Sequence, residues 1–266
     1  MDRPDDAPVR YSNLKLMALS PAHYHAAAKK DTGAMQRGRA LHSLVLGGAR
    51  VIGYPGKTRY GKQWDAFKAA NTDAEILTGK EFDKVRAMAE SVLHHKIAMQ
   101  VLEGQHEVEV DWTYLGRKCQ SHVDSIAPDG KWVAELKSTV SSEPGRFAWQ
   151  SHKMAYGGQV AFYLDAVRAA GLGEPTDAYV VAVEAAEPFV VTVLHVEEDA
   201  LELGRRCVRL WMEQLLNCEA ANDWPGYAQG IVPLHAPSQD INFTFGDEDE
   251  DGEEPAHDPV TGEVAA

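Results

Sequence analysis

Three residues near the middle of the chain have the types and spacing to do chemistry together: Asp124, Glu135 and Lys137. Asp124 falls where Cys119, Ser121 and Val123 alternate with Gln120, His122 and Asp124. Pro128-Asp129-Gly130 then supplies turn residues before a second extended run, Lys131 to Lys137. That is a hairpin pattern. Strand side chains alternate, so Glu135 and Lys137 share one face while Leu136 turns away, and a hairpin register can carry Asp124 across to that face. Two carboxylates at close range repel and are costly to bury ionised, which a divalent cation would relieve. Mg²⁺ prefers hard oxygen ligands, and Asp124, Glu135 and the backbone carbonyl of Leu136 suit it. Lys137 would then face a phosphate under attack or the attacking water. A surface cross-strand salt bridge would leave the same three residues, so the pattern needs support from elsewhere in the chain.

That support comes from two helical stretches. Gln159 and Tyr163 lie four apart between Gly158 and Asp165, hence on one helix face soon after the hairpin. Upstream, Arg37 to Leu46 reads as a helix with Ala40, Leu41, Leu44 and Val45 as its apolar stripe, ended by Gly47-Gly48, with His42 off the stripe's centre. The series G-x-x-x-H (Gly38 to His42), Asp124, Glu135-Leu136-Lys137 and Q-x-x-x-Y (Gln159 to Tyr163) resembles the PD-(D/E)xK nucleases of the RecE and lambda-exonuclease type, also seen in the RecB nuclease domain. The resemblance covers roughly residues 12 to 215. It departs at the proline of the family name, since His122-Val123 precedes Asp124.

The resemblance implies an α/β fold of the restriction-endonuclease-like type, a mixed central sheet of about five strands flanked by helices. It implies a Mg²⁺-dependent exodeoxyribonuclease, with Mn²⁺ able to substitute, that digests linear double-stranded DNA 5′→3′. The 3′ strand left behind would pass to a single-strand annealing recombinase, as in phage recombination. His42 would line the metal pocket as a ligand or through a water. Gln159 would bond near the metal's water or a phosphate, and Tyr163 would orient Lys137 or the DNA backbone. The lambda-type enzymes are rings, which implies a homotrimer. Other readings are a different PD-(D/E)xK nuclease, endonucleolytic or single-strand-specific, and a catalytically inactive DNA-binding or assembly module. Keeping Asp124, Glu135 and Lys137 together argues against the last.

The formal charge of −14 looks wrong for a DNA enzyme. Residues 246 to 266 carry nine acids and no Lys or Arg, and without them the charge is −5. Such a body can hold DNA only by gathering its cations on one wall, and closed symmetry adds those walls together. We expect a single nuclease domain over 1–245 and an acidic disordered tail over 246–266. Cys119, Cys207 and Cys218 are odd in number and lack C-x-x-C spacing, which argues against a disulfide framework, a zinc site or a four-cysteine iron–sulfur site. The sequence has no membrane-length apolar run and its N-terminus lacks signal-peptide features, so a cytoplasmic location without membrane partners is expected.

Other segments supply scaffold and candidate DNA contacts. Ser20-Pro21 reads as an N-cap with proline at the first helical position, and Thr78 to Glu81 as a capping box opening a helix that runs to about Leu102. Gly56-Lys57-Thr58 suggests a phosphate-binding loop, but the required earlier glycine is replaced by Val51. Val51 to Lys62 reads instead as a basic loop, with Lys57, Arg59 and Lys62 among Tyr54, Tyr60 and Trp64, able to guide a strand. Arg37 and Arg39 are further phosphate candidates, and Ser138 and Thr139 could touch the substrate backbone. Gln105 to Tyr114 alternates strictly. Glu109 would reach the metal site if this strand pairs with that of Asp124. Pro144 to Ala155 and Glu198 to Leu216 read as helices, and Asp177 to Val183 with Phe189 to Val196 as a further hairpin.

Overall fold

The computed structural model describes residues 7–28 and 31–235. The acidic run 246–266 lies outside the described residues. The chain begins with α1 (Tyr11–Leu14), a 3₁₀ turn over Lys15–Ala18, and α2 (Pro21–Ala26), which Ser20 caps by accepting the N–H of His23. Next comes α3 (Gly33–Leu46), opened by the Thr32 hydroxyl on the N–H of Met35 and closed by Gly47 at φ 86°. It starts earlier than the apolar stripe suggested, because a cap sets a helix boundary where the stripe cannot.

The segment read as a basic loop is partly ordered: β1 (Arg50–Tyr54) pairs in parallel with β2 (Ala74–Thr78) across the intervening α4 (Lys62–Ala70). Five residues without alternation, paired with a strand some twenty positions later, give no local signal. Thr78 and Glu81 form the reciprocal capping box of α5 (Gly79–His94). The expected single helix to Leu102 breaks at His95, whose ring accepts the N–H of Ala98 and so caps a separate α6 (Lys96–Val101).

The main sheet follows the order β3 (Gln105–Tyr114), β4 (Arg117–Ile126), β5 (Trp132–Thr139), β6 (Asp177–Glu184), β7 (Val191–His195). All neighbours are antiparallel except β5 and β6, which run parallel. That pair is joined by a crossover through α7 (Pro144–Lys153) and α8 (Tyr156–Ala169), as parallel strands require. The chain thus has the expected mixed α/β fold, a five-stranded mixed sheet flanked by helices.

Each sheet face carries its own core. On one, Val110, Trp112, Val123 and Val133 meet Phe162 and Leu164 of α8 and Met212 and Leu215 of α9 (Glu198–Ala221). On the other, Ala134, Leu136, Val181 and Val183 meet Leu41 of α3 and Val85, Met88 and Val92 of α5. Helix α8 is apolar almost all round because it lies between the sheet and α9. The α8–α9 contact is backbone to backbone: a Cβ on Gly204 would sit 2.5 Å from the carbonyl of Gly157. Among the described residues no helix is long and apolar enough to cross a membrane.

Candidate active site

Strand β4 pairs with β3 along nearly its whole length but with β5 only at Ser125↔Ala134 and Ile126↔Val133. Past that point a side chain replaces the ladder, for Asp124 Oδ2 accepts the N–H of Leu136 at 2.7 Å. The expected hairpin therefore forms, and the parting of its strands makes the notch that holds the acids.

Glu135 sits in this notch, 4% exposed. Its Oε1 accepts from Lys137 Nζ at 2.5 Å and from Gln159 Nε2 at 2.7 Å. Its Oε2 is buried without a hydrogen-bond partner among the described residues. Burial, then the charge of Asp124, push the Glu135 carboxyl up to about 7 despite Lys137. The Lys137 ammonium resists burial, and Glu135 and Asp124 hold its pKa above the ordinary value. It lies 5.3 Å from the ring centroid of Tyr156, at the start of α8.

Helix α3 brings His42 in from the other layer. Its Nε2 meets the carbonyl of Leu136 at 2.9 Å, and its Nδ1 lies 3.4 Å from Asp124 and 3.3 Å from Glu107. Burial works against the imidazolium, but Asp124, then hydrogen bonds to Asp124 and Glu107, lift its pKa to about 10. In return, although burial opposes it, His42 leads the groups that hold the Asp124 carboxyl below the usual carboxylate range.

Glu107 is the residue that sequence reasoning missed. His106↔Ser125 and Val108↔Val123 flank it, which sets Glu107 across from Asp124. It adopts φ 51°, in the left-handed region that few residues other than glycine occupy. The alternation of β3 had marked Glu107, Glu109 and Asp111 as one side, and only the register selects among them. The expectation that Glu109 reaches the metal site is corrected. Its partner across the ladder is His122, whose Nε2 lies 2.7 Å from its carboxylate, and Gln120 takes the other oxygen.

The other expected residues divide. Gln159 and Tyr163 do share a face of α8, but the Tyr163 hydroxyl is buried and accepts from Gln159 Nε2 at 3.0 Å rather than meeting Lys137 or an open surface. Arg37 and Arg59 are paired with Glu81, and Arg39 with Asp31 and Glu75, so these guanidiniums are committed within the chain. Thr139 is buried, its hydroxyl on Ser141 and Gln150, which ties the end of β5 to α7. Lys57, Lys62 and Ser138 are exposed. Tyr54 packs inside against Trp64, ring centroids 5.1 Å apart, whereas Tyr60 is open to solvent.

A divalent cation fits this donor set. His42, Glu107 and Asp124 each offer a ligand atom within 4.8 Å of one another. Glu135 stands outside that group of three, and its oxygen without a partner among the described residues is a further donor of a kind rarely left buried unless something binds it. The Leu136 carbonyl keeps one lone pair beside its contact with His42. Because His42 Nε2–H can stay on that carbonyl, the tautomer leaving Nδ1 free to ligate is the one the backbone favours.

No curated protein matches the chain. A crystal structure from Eubacterium rectale, whose protein carries the provisional name exonuclease, is similar at a TM-score of 0.62 with 17% identity, over 91% of this chain and 94% of that one. This is a likeness of fold. The structure of SSO0001, at 12% identity over 75% of this chain and 86% of that one, has a TM-score of 0.29, too low to bear on the fold. Residues 11–234 match the family model described as PDDEXK-like domain of unknown function (DUF3799), and the chain therefore belongs to that family.

Proposed function

We propose that this protein is a metal-dependent deoxyribonuclease that hydrolyses phosphodiesters at the Asp124–Glu135–Lys137 notch. The observation that carries this reading is the Glu135 carboxylate: Lys137 and Gln159 hold one oxygen, the other is buried without a hydrogen-bond partner among the described residues, and the charge of Asp124 is felt at the same carboxyl. An ion pair with Lys137 alone gives no reason to bury that second oxygen.

Asp124, Glu135, the Leu136 carbonyl and His42 Nδ1 would hold the cation, with Glu107 beside them. When bound it supplies Lewis-acid polarisation of the phosphoryl oxygens and lowers the pKa of water. Lys137, fixed by Glu135, places a positive charge where negative charge grows in the transition state. Gln159 fixes the rotamer of Glu135, Tyr163 fixes Gln159, and the Leu136 N–H fixes Asp124. These groups are set before substrate arrives, so little reorganisation opposes the reaction.

Within that activity we propose the finer reading implied by the RecE and lambda-exonuclease resemblance: 5′→3′ digestion of linear duplex DNA with Mg²⁺ or Mn²⁺, leaving a 3′ strand for an annealing recombinase. We propose a homotrimeric ring as its assembly, since a body of formal charge −5 outside the acidic run gains most by pooling its cations around one channel. The deciding experiment sets end-labelled linear duplex beside closed circular DNA, with Mg²⁺ and then with EDTA. Loss of the linear substrate alone, abolished by EDTA, supports an exonuclease. Cutting of the circle makes it an endonuclease, and no cutting of either ends the nuclease reading. Light scattering that gives a monomeric mass ends the ring.

A further inference from the structure

Helix α7 carries an exposed face that the chemistry above does not use. Phe147 points inward, 6.0 Å from the ring of Tyr156, and Gln150 bonds Thr139 at 2.6 Å, two residues past Lys137. The helix is thus pinned beside the active site. Its outer face shows Trp149, 78% exposed, with Arg146 three residues before it and Lys153 four after. At helical spacing these three fall within an arc of about 60°, the two cations about 10 Å apart along the axis with the indole between them. Neither cation is in an ion pair among the described residues. The nearby acid Glu143 is occupied as the helix cap, accepting the N–H groups of Gly145 and Arg146. Exposed His152 adjoins the same face, and Val140, 82% exposed, stands in the loop that joins β5 to α7.

An open tryptophan costs solubility, and the remaining surface of an acidic chain gives it no reason to be flanked by cations. The arrangement suits a polyanion with flat apolar faces along it. We propose that the Arg146–Trp149–Lys153 face of α7 is a stacking platform for single-stranded DNA adjoining the active site: a base lies on Trp149 and Arg146 and Lys153 take backbone phosphates on either side. This deepens the nuclease reading and rests on it for the identity of the strand.

The test is anisotropy of a fluorescein-labelled oligothymidine titrated with the full-length protein in EDTA, beside cleavage of linear duplex in Mg²⁺. Trp149→Ala should weaken oligonucleotide binding about tenfold or more, and Trp149→Phe should restore most of it while removing the tryptophan quenching that the oligonucleotide causes. Arg146→Gln and Lys153→Gln should each lower the slope of log affinity against log salt by about 0.7. Because these side chains are exposed, unchanged circular dichroism is expected throughout. Unchanged binding by Trp149→Ala overturns the platform, as does a fall in assembly mass without a change in binding, which would make the face a contact between copies. A wild type that binds through Trp149 yet cuts no DNA keeps the platform and removes the nuclease reading. Cleavage with Trp149-independent binding does the reverse.

Discussion

Asp124 and Leu136 are joined by a side chain doing the work of a backbone. The Asp124 carboxylate accepts the Leu136 N–H at 2.7 Å where the β4–β5 ladder ends, and the Leu136 carbonyl goes to His42. One residue thereby opens the hairpin, satisfies the main chain it exposes and faces a ligand atom into the notch. Removing it should be felt in stability as well as in chemistry. Asp124→Ala leaves the buried Leu136 N–H without its acceptor and removes one of the carboxylates that face His42, and should lower the unfolding free energy by about 1–3 kcal/mol in EDTA, measured by urea denaturation. Asp124→Asn keeps an acceptor and should lose less. Equal stability of Asp124→Ala and wild type would remove the carboxylate's structural part.

Lys137 separates binding from rate. An ammonium ligates no metal, so Lys137→Ala should hold Mg²⁺ nearly as wild type by titration calorimetry, while cleavage falls by about a hundredfold or more. Substantial cleavage in this variant would defeat the assigned role.

Cation binding should release protons in a pH-dependent number. Glu135 is raised to about 7, so below that pH the cation displaces its proton and affinity climbs with pH, levelling off above. His42 is raised to about 10, so if its Nδ1 ligates, a further proton leaves even at pH 8. Calorimetry in buffers of different ionisation enthalpy should therefore count more protons at pH 6 than at pH 8, with about one still released at pH 8. The same count at pH 6 as at pH 8 would mean that Glu135 is not a ligand. None at pH 8 would exclude His42.

Gln159 and Tyr163 should behave as one unit. Gln159 Nε2 donates both to Glu135 and to the Tyr163 hydroxyl, and among the described residues no hydrogen bond joins Tyr163 to Glu135 directly, so Tyr163→Phe should cost less than Gln159→Ala. The double variant should cleave about as well as Gln159→Ala alone. Additive losses would show that Tyr163 acts by a route of its own.

The α8–α9 crossing offers a test of the fold apart from the site. Gly204→Ala would place a methyl 2.5 Å from the Gly157 carbonyl, against backbone that cannot rotate away. It should destabilise by about 1–3 kcal/mol in urea. A neutral result would mean that the helices separate freely.

Much of this was legible in the sequence. Alternation gave β3 and the β4–β5 hairpin, turn chemistry gave its loop, capping residues gave the starts of α2 and α5, and helical spacing set Gln159 beside Tyr163. These are local signals, because pleat, turn and helix periods act over a few residues. The hairpin pattern also pointed to Asp124, Glu135 and Lys137 on one face, and the resemblance added His42 to them. Tertiary structure decided what depends on partners far apart in the chain. Glu107 was chosen over Glu109 by the β3–β4 register, and Arg37, Arg39 and Arg59 were drawn into ion pairs with acids on neighbouring elements. Thr139 was turned inward to Gln150, and β1 found β2 across a helix. The bare oxygen of Glu135 belongs to the same class. Sequence determined that a carboxylate stands at that position, and only packing from α8, β4 and Lys137 decided which of its two oxygens was left for a ligand.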